Sequence, residues 1–256
     1  PRGETSTTGW LAGGRTRWDA WTAGVYVASE QTDLGQAGGG ARIRSVEPGA
    51  FLRFDRGGWF AHASASHSQD RHELSRVSNF TAGFNVETLH TARPSGRRTD
   101  LGLTAGRTWR GAGWSLSPFA GAVVSQWRLD SFTETSDRPG FPYDALAIEG
   151  WSHTSRRTRA GVEAAGSWWR GRVQPRLTAA WWHELEPDRS IPTRFAGAAT
   201  GYPAPGRAAD LNTWQAALEI AVRLRSRAWF TAGTSLQQGD HSRTSSDFTA
   251  GLRWEF

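Results

Sequence analysis

The chain has 256 residues, of which 38% are hydrophobic, and its formal net charge of +6 rests on arginine because it contains no lysine. No apolar run approaches the roughly 18 residues of a membrane-spanning helix, which excludes a helical membrane protein. The absence of cysteine excludes disulfides and thiolate metal sites. The arginines are spread over many segments instead of one face, which argues against nucleic-acid binding. We expect one domain over residues 1–256 and no cofactor.

In chain order, the main signal is an alternation of apolar and polar side chains with a period of two. It is clearest at residues 214–225 and 248–256, where apolar residues take every second position. A period of two indicates a β-strand with one apolar face. The pattern predicts eleven strands, at about residues 8–18, 20–30, 41–55, 58–73, 97–110, 114–129, 156–170, 172–185, 211–225, 228–238 and 247–256.

The predicted connections alternate between tight turns and long segments. We expect long loops at residues 31–40, 74–96, 130–155 and 186–210, which are rich in Gly, Pro, Ser, Asp and Arg. Short turns at one end and long loops at the other are typical of an outer-membrane barrel. Tryptophans near the turns predict an interfacial aromatic belt made of Trp18, Trp59, Trp109, Trp114, Trp168, Trp169 and Trp229.

The predicted fold is therefore all-β, a transmembrane antiparallel up-and-down β-barrel in the bacterial outer membrane. Bacterial single-chain barrels have an even number of strands with both ends at the periplasm. Eleven strands leave one ascending strand unaccounted for. We expect a barrel of about twelve strands whose first strand lies upstream of this chain, or one whose gap closes irregularly.

Several segments resemble the translocator domain of autotransporters. The segment 114–122 (WSLSPFAGA), followed by 132–134 (FTE), is similar to the family's L-x-P-Y/F strand, and 179–184 (AAWWHE) to its aromatic-His-Glu strand end. The segments 194–197 (RFAG) and 254–256 (WEF) complete the series. The resemblance implies a monomeric membrane anchor and translocation pore, without catalysis of its own.

Within that family, the stretch 59–76 and the spacing from 117–119 to Arg159 look most like esterase autotransporters with a GDSL-hydrolase passenger. No Gly-Asp-Ser-Leu block or Gly-x-Ser-x-Gly elbow occurs in the chain, so any esterase activity would belong to a passenger. The family's usual first strand and pore helix are also not in this chain. The implied partners are an N-terminal passenger with its linker helix, outer-membrane lipid, and the barrel-assembly machinery, which would recognise the terminal aromatics Trp254 and Phe256.

Charged residues on the polar parity of the strands are candidates for lining the lumen. We expect them to form charge pairs and a hydrated wall that contacts the passenger's linker, although mutually satisfied charges without a specific partner remain the simpler alternative. The candidates are Arg159, Glu163, Arg172, Arg176, Glu184, Glu219, Arg223, Arg253 and Glu255.

Two other function classes are compatible with a barrel. One is a barrel enzyme of the phospholipase or deacylase type, for which His67 beside Ser66, Ser68 and Asp70 is the best candidate group. His183 and Glu184 are sequence neighbours and would point to opposite faces of a strand. The same alternation disfavours a metal site at His62, His67 and His72, and we predict no catalytic or metal-binding residue. The other class is a passive porin.

Overall fold

The computed structural model describes residues 4–36, 38–81, 85–138, 145–187, 190–196, 200–205, 210–240 and 244–254. Within these ranges the regular structure is entirely β, and no helix is long and apolar enough to cross a membrane. The strands are β1 Glu4–Trp18, β2 Trp21–Gln36, β3 Gly39–Arg56, β4 Trp59–Thr81, β5 Asn85–Ala92, β6 Ser95–Arg107, β7 Trp109–Gly111, β8 Trp114–Leu129, β9 Phe132–Thr133, β10 Thr135–Ser136, β11 Leu146–Ile148, β12 Trp151–Gly166, β13 Val173–Glu184, β14 Ser190–Phe195, β15 Tyr202–Pro205, β16 Asn212–Arg225, β17 Ala228–Gly239 and β18 Thr244–Trp254.

Eleven long strands form one curled antiparallel sheet in which each strand pairs with the next long strand along the chain. The order is β1-β2-β3-β4-β6-β8-β12-β13-β16-β17-β18. The eleven predicted strands and their antiparallel order are therefore confirmed. Because the number of strands in this path is odd, β1 and β18 run in the same direction. They are the two edges of the sheet, and they do not pair with each other in the described residues.

Tight turns join the long strands at one end of the sheet. The turn between β3 and β4 consists of Gly57 and Gly58, with φ of +62° and +82°. A two-residue hairpin turn of type I′ requires positive φ at both positions, which glycine adopts without a steric penalty. Two residues also separate β1 from β2 and β16 from β17, and six residues separate β12 from β13. We call this end of the strands the short-turn end and the opposite end the long-connection end.

The convex face of the sheet carries the apolar parity of the strands. Leu252, Leu177 and Leu218 lie on it with 79%, 53% and 42% of their surface exposed. Large apolar side chains left exposed on every strand are unfavourable in water and are expected of a face in contact with lipid. The sequence-based assignment of faces therefore agrees with the structure.

Tryptophans surround the short-turn end on this convex face, with one exception. Trp229 is only 7% exposed, because its position in β17 places it opposite Arg223 on the concave face. The guanidinium carbon of Arg223 lies 5.2 Å from the centroid of its ring. The predicted place of Trp229 in the belt is wrong. The exposed members are Trp18, Trp59, Trp109, Trp114, Trp168 and Trp169.

Three of the predicted long loops contain further β-structure, and the fourth is not a loop. Strands β2 and β3 stay paired until Gln36 faces Gly39, so no long loop occupies residues 31–40. Strand β4 continues to Thr81 and pairs with β5. A small sheet with the order β15-β14-β11-β9 is built from the other two connections. The long-connection end is therefore extended well beyond the predicted strand ends.

The candidate lumen wall

The concave face is identified by contacts between strands that are not neighbours. Arg98 of β6 bonds to Glu47 of β3 across β4, and Arg159 of β12 bonds to Thr104 of β6 across β8. Only the inner side of a curled sheet brings such side chains together. Residues that face each other in a ladder point to the same side, so these contacts assign the concave parity of every strand between them. We call this face the lumen wall.

Arg159 lies in a row of opposed residues that crosses four strands of the wall. His62 faces Thr104, which faces Gly121, which in turn faces Arg159. Because Gly121 has no side chain, the guanidinium of Arg159 reaches over it to donate to Oγ1 of Thr104. A Cβ at Gly121 would lie 2.9 Å from the same oxygen. Glycine at this position therefore permits the contact.

Aromatic rings hold Arg159 flat against the wall. Its guanidinium carbon lies 5.3 Å from the ring centroid of Phe119 and 5.1 Å from that of Trp182. Cation–π contacts of this kind contribute about 0.5–2 kcal/mol each. No carboxylate lies within ion-pairing distance of Arg159 among the described residues. Its charge is left available to a group in the lumen.

A cavity of about 360 Å³ opens on the wall beside Arg159. Four arginines and one glutamate, Glu163, are its charged lining residues. Asp55 lies 3.1 Å from Nη2 of Arg53 and 3.9 Å from Nη2 of Arg110, and it partly neutralises them. The cavity therefore carries a positive charge. The arginines are Arg53, Arg110, Arg159 and Arg176.

Glu163 and Arg176, both predicted for the lumen, form an ion pair with 3.5 Å between Oε1 and Nε. Glu219 also faces the lumen, opposite Arg176 in the ladder between β13 and β16, and it is exposed. The structure therefore brings three of the predicted residues together near the cavity. Of the three, Glu163 and Arg176 neutralise each other. This agrees, for these two residues, with the simpler alternative that lumen charges pair with one another and have no specific partner.

Glu184 lies at the long-connection end of the wall and is almost completely buried. Its carboxylate accepts hydrogen bonds from Ser155 Oγ at 2.5 Å and from the backbone N–H groups of Arg156 and Glu186 at 3.1 and 3.2 Å. With these donors the carboxylate ties β12 to the end of β13. Glu184 is thus a structural residue of the strand end and does not offer a charge to the lumen.

Arg223 and Arg172 lie at the short-turn end. Arg223 donates through Nη2 to the carbonyl oxygens of Gly171 at 3.1 Å and Arg170 at 3.4 Å. Arg172 is an exposed turn residue whose carbonyl accepts the backbone N–H of Arg223. Arg223 therefore stabilises the β12–β13 turn. Its hydrogen bonds go to turn carbonyls and not to the Glu219 carboxylate on its own strand.

The predicted residues at the end of the chain are only partly described. In the ladder between β17 and β18, Arg253 is the partner of Trp229 and Trp254 is the partner of Ala228. Glu255 and Phe256 lie outside the described residues. Their assignment to the lumen and to an assembly signal stays a prediction.

A second charge network on the wall was missed by the sequence reasoning. Arg98 bonds to Glu47 and lies 2.7 Å from the Asp100 carboxylate, and its guanidinium carbon is 5.1 Å from the Trp127 ring centroid. Tyr26 Oη donates to the same Glu47 at 3.4 Å. The available signal was the i, i+2 spacing of Arg98 and Asp100. The sequence did not reveal that Glu47 joins this pair, because the alternation is less clear in β3 and β4, with Pro48 inside β3.

The histidine groups considered for catalysis or metal binding are divided between the two faces. His67 lies on the convex face, where Nδ1 is 3.0 Å from Oγ1 of Thr99, whereas Ser68 and Asp70 are buried on the concave face. The best candidate group for a barrel hydrolase is therefore not assembled. His62 and His72 share the concave parity without His67. No metal-binding group of three His, Cys, Asp or Glu residues occurs in the described ranges.

Comparison with known proteins gives one family and a consistent set of folds. A family model described as "Autotransporter beta-domain" matches residues 1–253. The chain is similar to the solved translocator domain of NalP from Neisseria meningitidis, with 14% identity, 99% of this chain and 82% of that chain covered, and a TM-score of 0.80. No curated protein matches the sequence significantly.

Two further solved structures have the same fold. The β-domain of the Bordetella autotransporter BrkA has 17% identity and a TM-score of 0.65, with 99% of this chain and 92% of that chain covered. The transport unit of AIDA-I from Escherichia coli has 14% identity and a TM-score of 0.63, with 99% and 84% covered. At identities this low, the structural similarity establishes a shared fold alone. The match of the family model over residues 1–253 establishes the family.

Proposed function

The chain belongs to the autotransporter β-domain family, and from this premise we propose that its lumen wall guides the linker of an N-terminal passenger and displays that passenger at the cell surface. Membership places the chain in the bacterial outer membrane as the translocator of its protein. The observation that supports the proposal is the division of the strands into an apolar convex face and a polar concave face. A polar lumen allows a polypeptide backbone to stay hydrated while it crosses the membrane.

The contact with the linker is proposed to be made by Arg159. This residue presents a guanidinium that is positioned by Thr104, Phe119 and Trp182 and has no carboxylate partner among the described residues. An Asp or Glu side chain, or backbone carbonyl groups, of a threaded segment would provide hydrogen-bond acceptors for it. The positive cavity beside Arg159 favours an acidic segment over a basic one.

The test is surface display in the full-length protein. Deletion of the barrel should abolish protease accessibility of the passenger on intact cells. Arg159→Glu should lower display several-fold while the barrel still folds, as judged by its heat-dependent shift in gel migration. Arg176→Glu is the control with the same change of charge, because Arg176 already has Glu163 as its partner. Equal display by the Arg159→Glu variant and the wild type would refute the role of Arg159.

We propose that one additional strand lies between β1 and β18. These edges run in the same direction, so a single strand antiparallel to both closes the ring. Unpaired backbone groups in lipid cost several kcal/mol each, which gives closure a strong driving force. Cysteines placed in β1 and in a candidate upstream strand should form a disulfide when their positions face each other. Failure at every register would refute this arrangement.

The terminal aromatics Trp254 and Phe256 are proposed to be recognised by the barrel-assembly machinery. Removal of Phe256 should slow insertion into the outer membrane without changing the strand order.

The passenger is proposed to be a GDSL-type esterase, on the basis of the similarity at residues 59–76 and 117–159. Hydrolysis of a short-chain ester by displayed passenger, lost on replacement of its predicted nucleophilic serine, would support this identity, and the absence of such a serine would refute it.

A further inference from the structure

Four arginines form a continuous row on the convex face near the long-connection end. Arg44 lies directly opposite Arg71 in the β3–β4 ladder, and Arg97 lies directly opposite Arg128 in the β6–β8 ladder. Gln69 is the partner of Arg97, so Arg71 is the diagonal neighbour of Arg97. Cβ atoms of opposed residues are about 5 Å apart and those of diagonal neighbours about 7–8 Å. We call these four residues the rim arginines.

The charge of the rim arginines is largely uncompensated by the protein. Like charges that face each other across a ladder destabilise a sheet. Arg44 lies 3.5 Å from Glu73, a carboxylate that also approaches Arg42 at 4.0 Å. In the part of the chain that the structure describes, Arg71, Arg97 and Arg128 take part in no ion pair. All four side chains are exposed.

Asp33 of β2, an acidic residue near the row, is already engaged further from the membrane. Asp33 accepts a hydrogen bond from Gln31 at 2.9 Å and one from Nε of Arg42 at 2.6 Å. These two hydrogen bonds, the first from Gln31, lower the pKa of Asp33. Asp33 is therefore bound to Arg42. Asp130 follows Arg128 by two residues on the same face, but in the described residues it forms no ion pair with a rim arginine, so Glu73 is the carboxylate that lies within 4.0 Å of one.

The rim arginines lie at the level of the outer lipid headgroups. Strand β4 begins at Trp59 of the short-turn end, and Arg71 follows about 12 residues later, which at about 3.4 Å per residue and a tilt of about 40° is roughly 31 Å along the membrane normal. The apolar band of an outer-membrane barrel is about 25 Å tall. Leu101, Leu103 and Val124 are exposed on the convex face on the membrane side of the row.

We infer that the rim arginines bind the phosphate groups of an anionic lipid in the outer leaflet. Guanidinium groups donate paired hydrogen bonds to phosphate oxygens, and they are weakly hydrated compared with ammonium groups. The two directly opposed pairs would each hold one phosphate of a doubly phosphorylated headgroup. A bound phosphate relieves the repulsion within each pair, so lipid and sheet stabilise each other. Gln69 and Gln126, one position nearer the apolar band on the same face, offer hydrogen bonds to the headgroup sugars.

The test compares lipid binding by the full-length protein in detergent, measured by native mass spectrometry. The probe is bisphosphorylated lipid A, and the comparison lipid is the same molecule without its phosphates. The variant Arg97→Gln with Arg128→Gln should bind lipid A about 25-fold more weakly, at about fivefold for each arginine. The matched control is Arg56→Gln with Arg107→Gln, which removes two arginines from the short-turn end and should leave the affinity unchanged.

Two results would overturn the inference. One is equal weakening in the test and control variants, which would mean that net charge and not the row binds the lipid. The other is wild-type affinity for the dephosphorylated lipid equal to that for lipid A. Heat-dependent gel migration checks that each variant is folded. If the double variant does not fold, the comparison of the two lipids on the wild type decides the question.

Discussion

Leu218→Arg tests which face of the sheet contacts lipid, at the depth where an arginine on the lipid face is most destabilising. Leu218 is in the middle of β16, with Asn212 and Arg225 at the strand ends. It lies on the convex face opposite Leu177 of β13 and Thr234 of β17. At about 3.4 Å per residue and a tilt of about 40°, each strand end is roughly 15–20 Å away along the membrane normal, which places Leu218 near the bilayer midplane.

The expected cost of this substitution has two parts. An arginine on the lipid face at the midplane costs about 2–4 kcal/mol in an outer-membrane barrel. The loss of the leucine side chain adds about 1 kcal/mol. Full transfer of a leucine side chain out of water contributes about 1.5–3 kcal/mol, and 42% of the surface of Leu218 is exposed on the convex face. The free energy of unfolding should fall by about 3–5 kcal/mol.

The assay is chemical denaturation of the full-length barrel in phospholipid vesicles, followed by tryptophan fluorescence. The matched control is Ala217→Arg, one residue earlier on β16 and facing the lumen between Thr178 and Ser235. We expect the control to lose less than about 1 kcal/mol, because its guanidinium stays in water. Equal losses for both variants, or a larger loss for Ala217→Arg, would refute the assignment of faces.

Three further predictions concern single residues. Arg98→Met leaves Glu47 and Asp100 without their shared cation, and we expect unfolding to become easier by about 1–2 kcal/mol, measured by the denaturation midpoint; an unchanged midpoint would contradict this. Glu184→Gln weakens the hydrogen bonds at the end of β13 by about 1–2 kcal/mol, which should appear as faster amide exchange there but not at the short-turn end. Gly171→Ala introduces a side chain at φ of +78° and should cost about 1 kcal/mol; a stabilised variant would show that this turn rearranges.

The strands that cross the membrane could be predicted from sequence because lipid and water impose opposite demands on their two faces. The predicted strand at residues 114–129 has the observed bounds of β8, and the start of β17 at Ala228 was also correct. Outside the membrane this contrast disappears, since both faces of a strand meet water. The sequence therefore predicts a loop at residues 31–40, whereas β2 and β3 remain paired there and Arg42 bonds to Asp33.

The candidate site was predictable as a face but not as a set of contacts. Parity alone placed Arg159, Glu163 and Arg176 on the lumen wall. It could not reveal that Arg159 reaches Thr104 two strands away, because that contact depends on the curvature of the sheet and on the small residue Gly121 between them. Nor could it distinguish the buried Glu184, two of whose donors come from the neighbouring strand β12.

The composition of the lumen wall has a physical reason that connects these contacts. Arg98 lies over Trp127, Arg159 over Phe119 and Trp182, and Arg223 over Trp229. A planar guanidinium can stack on a ring and still donate hydrogen bonds at its edge, whereas a lysine ammonium is a hydrated point charge on a flexible stem.

Long cations held flat against the wall keep the lumen wide and polar, while free lysine stems would extend into the path of a threaded chain. Arginine supplies all 30 of the Lys and Arg residues in this sequence, which agrees with that requirement on the concave face. On the convex rim the same chemistry serves phosphate binding. Replacement of Arg159 by lysine would therefore keep the charge but lose the stacked position, and the defect it causes would separate the effect of geometry from that of charge.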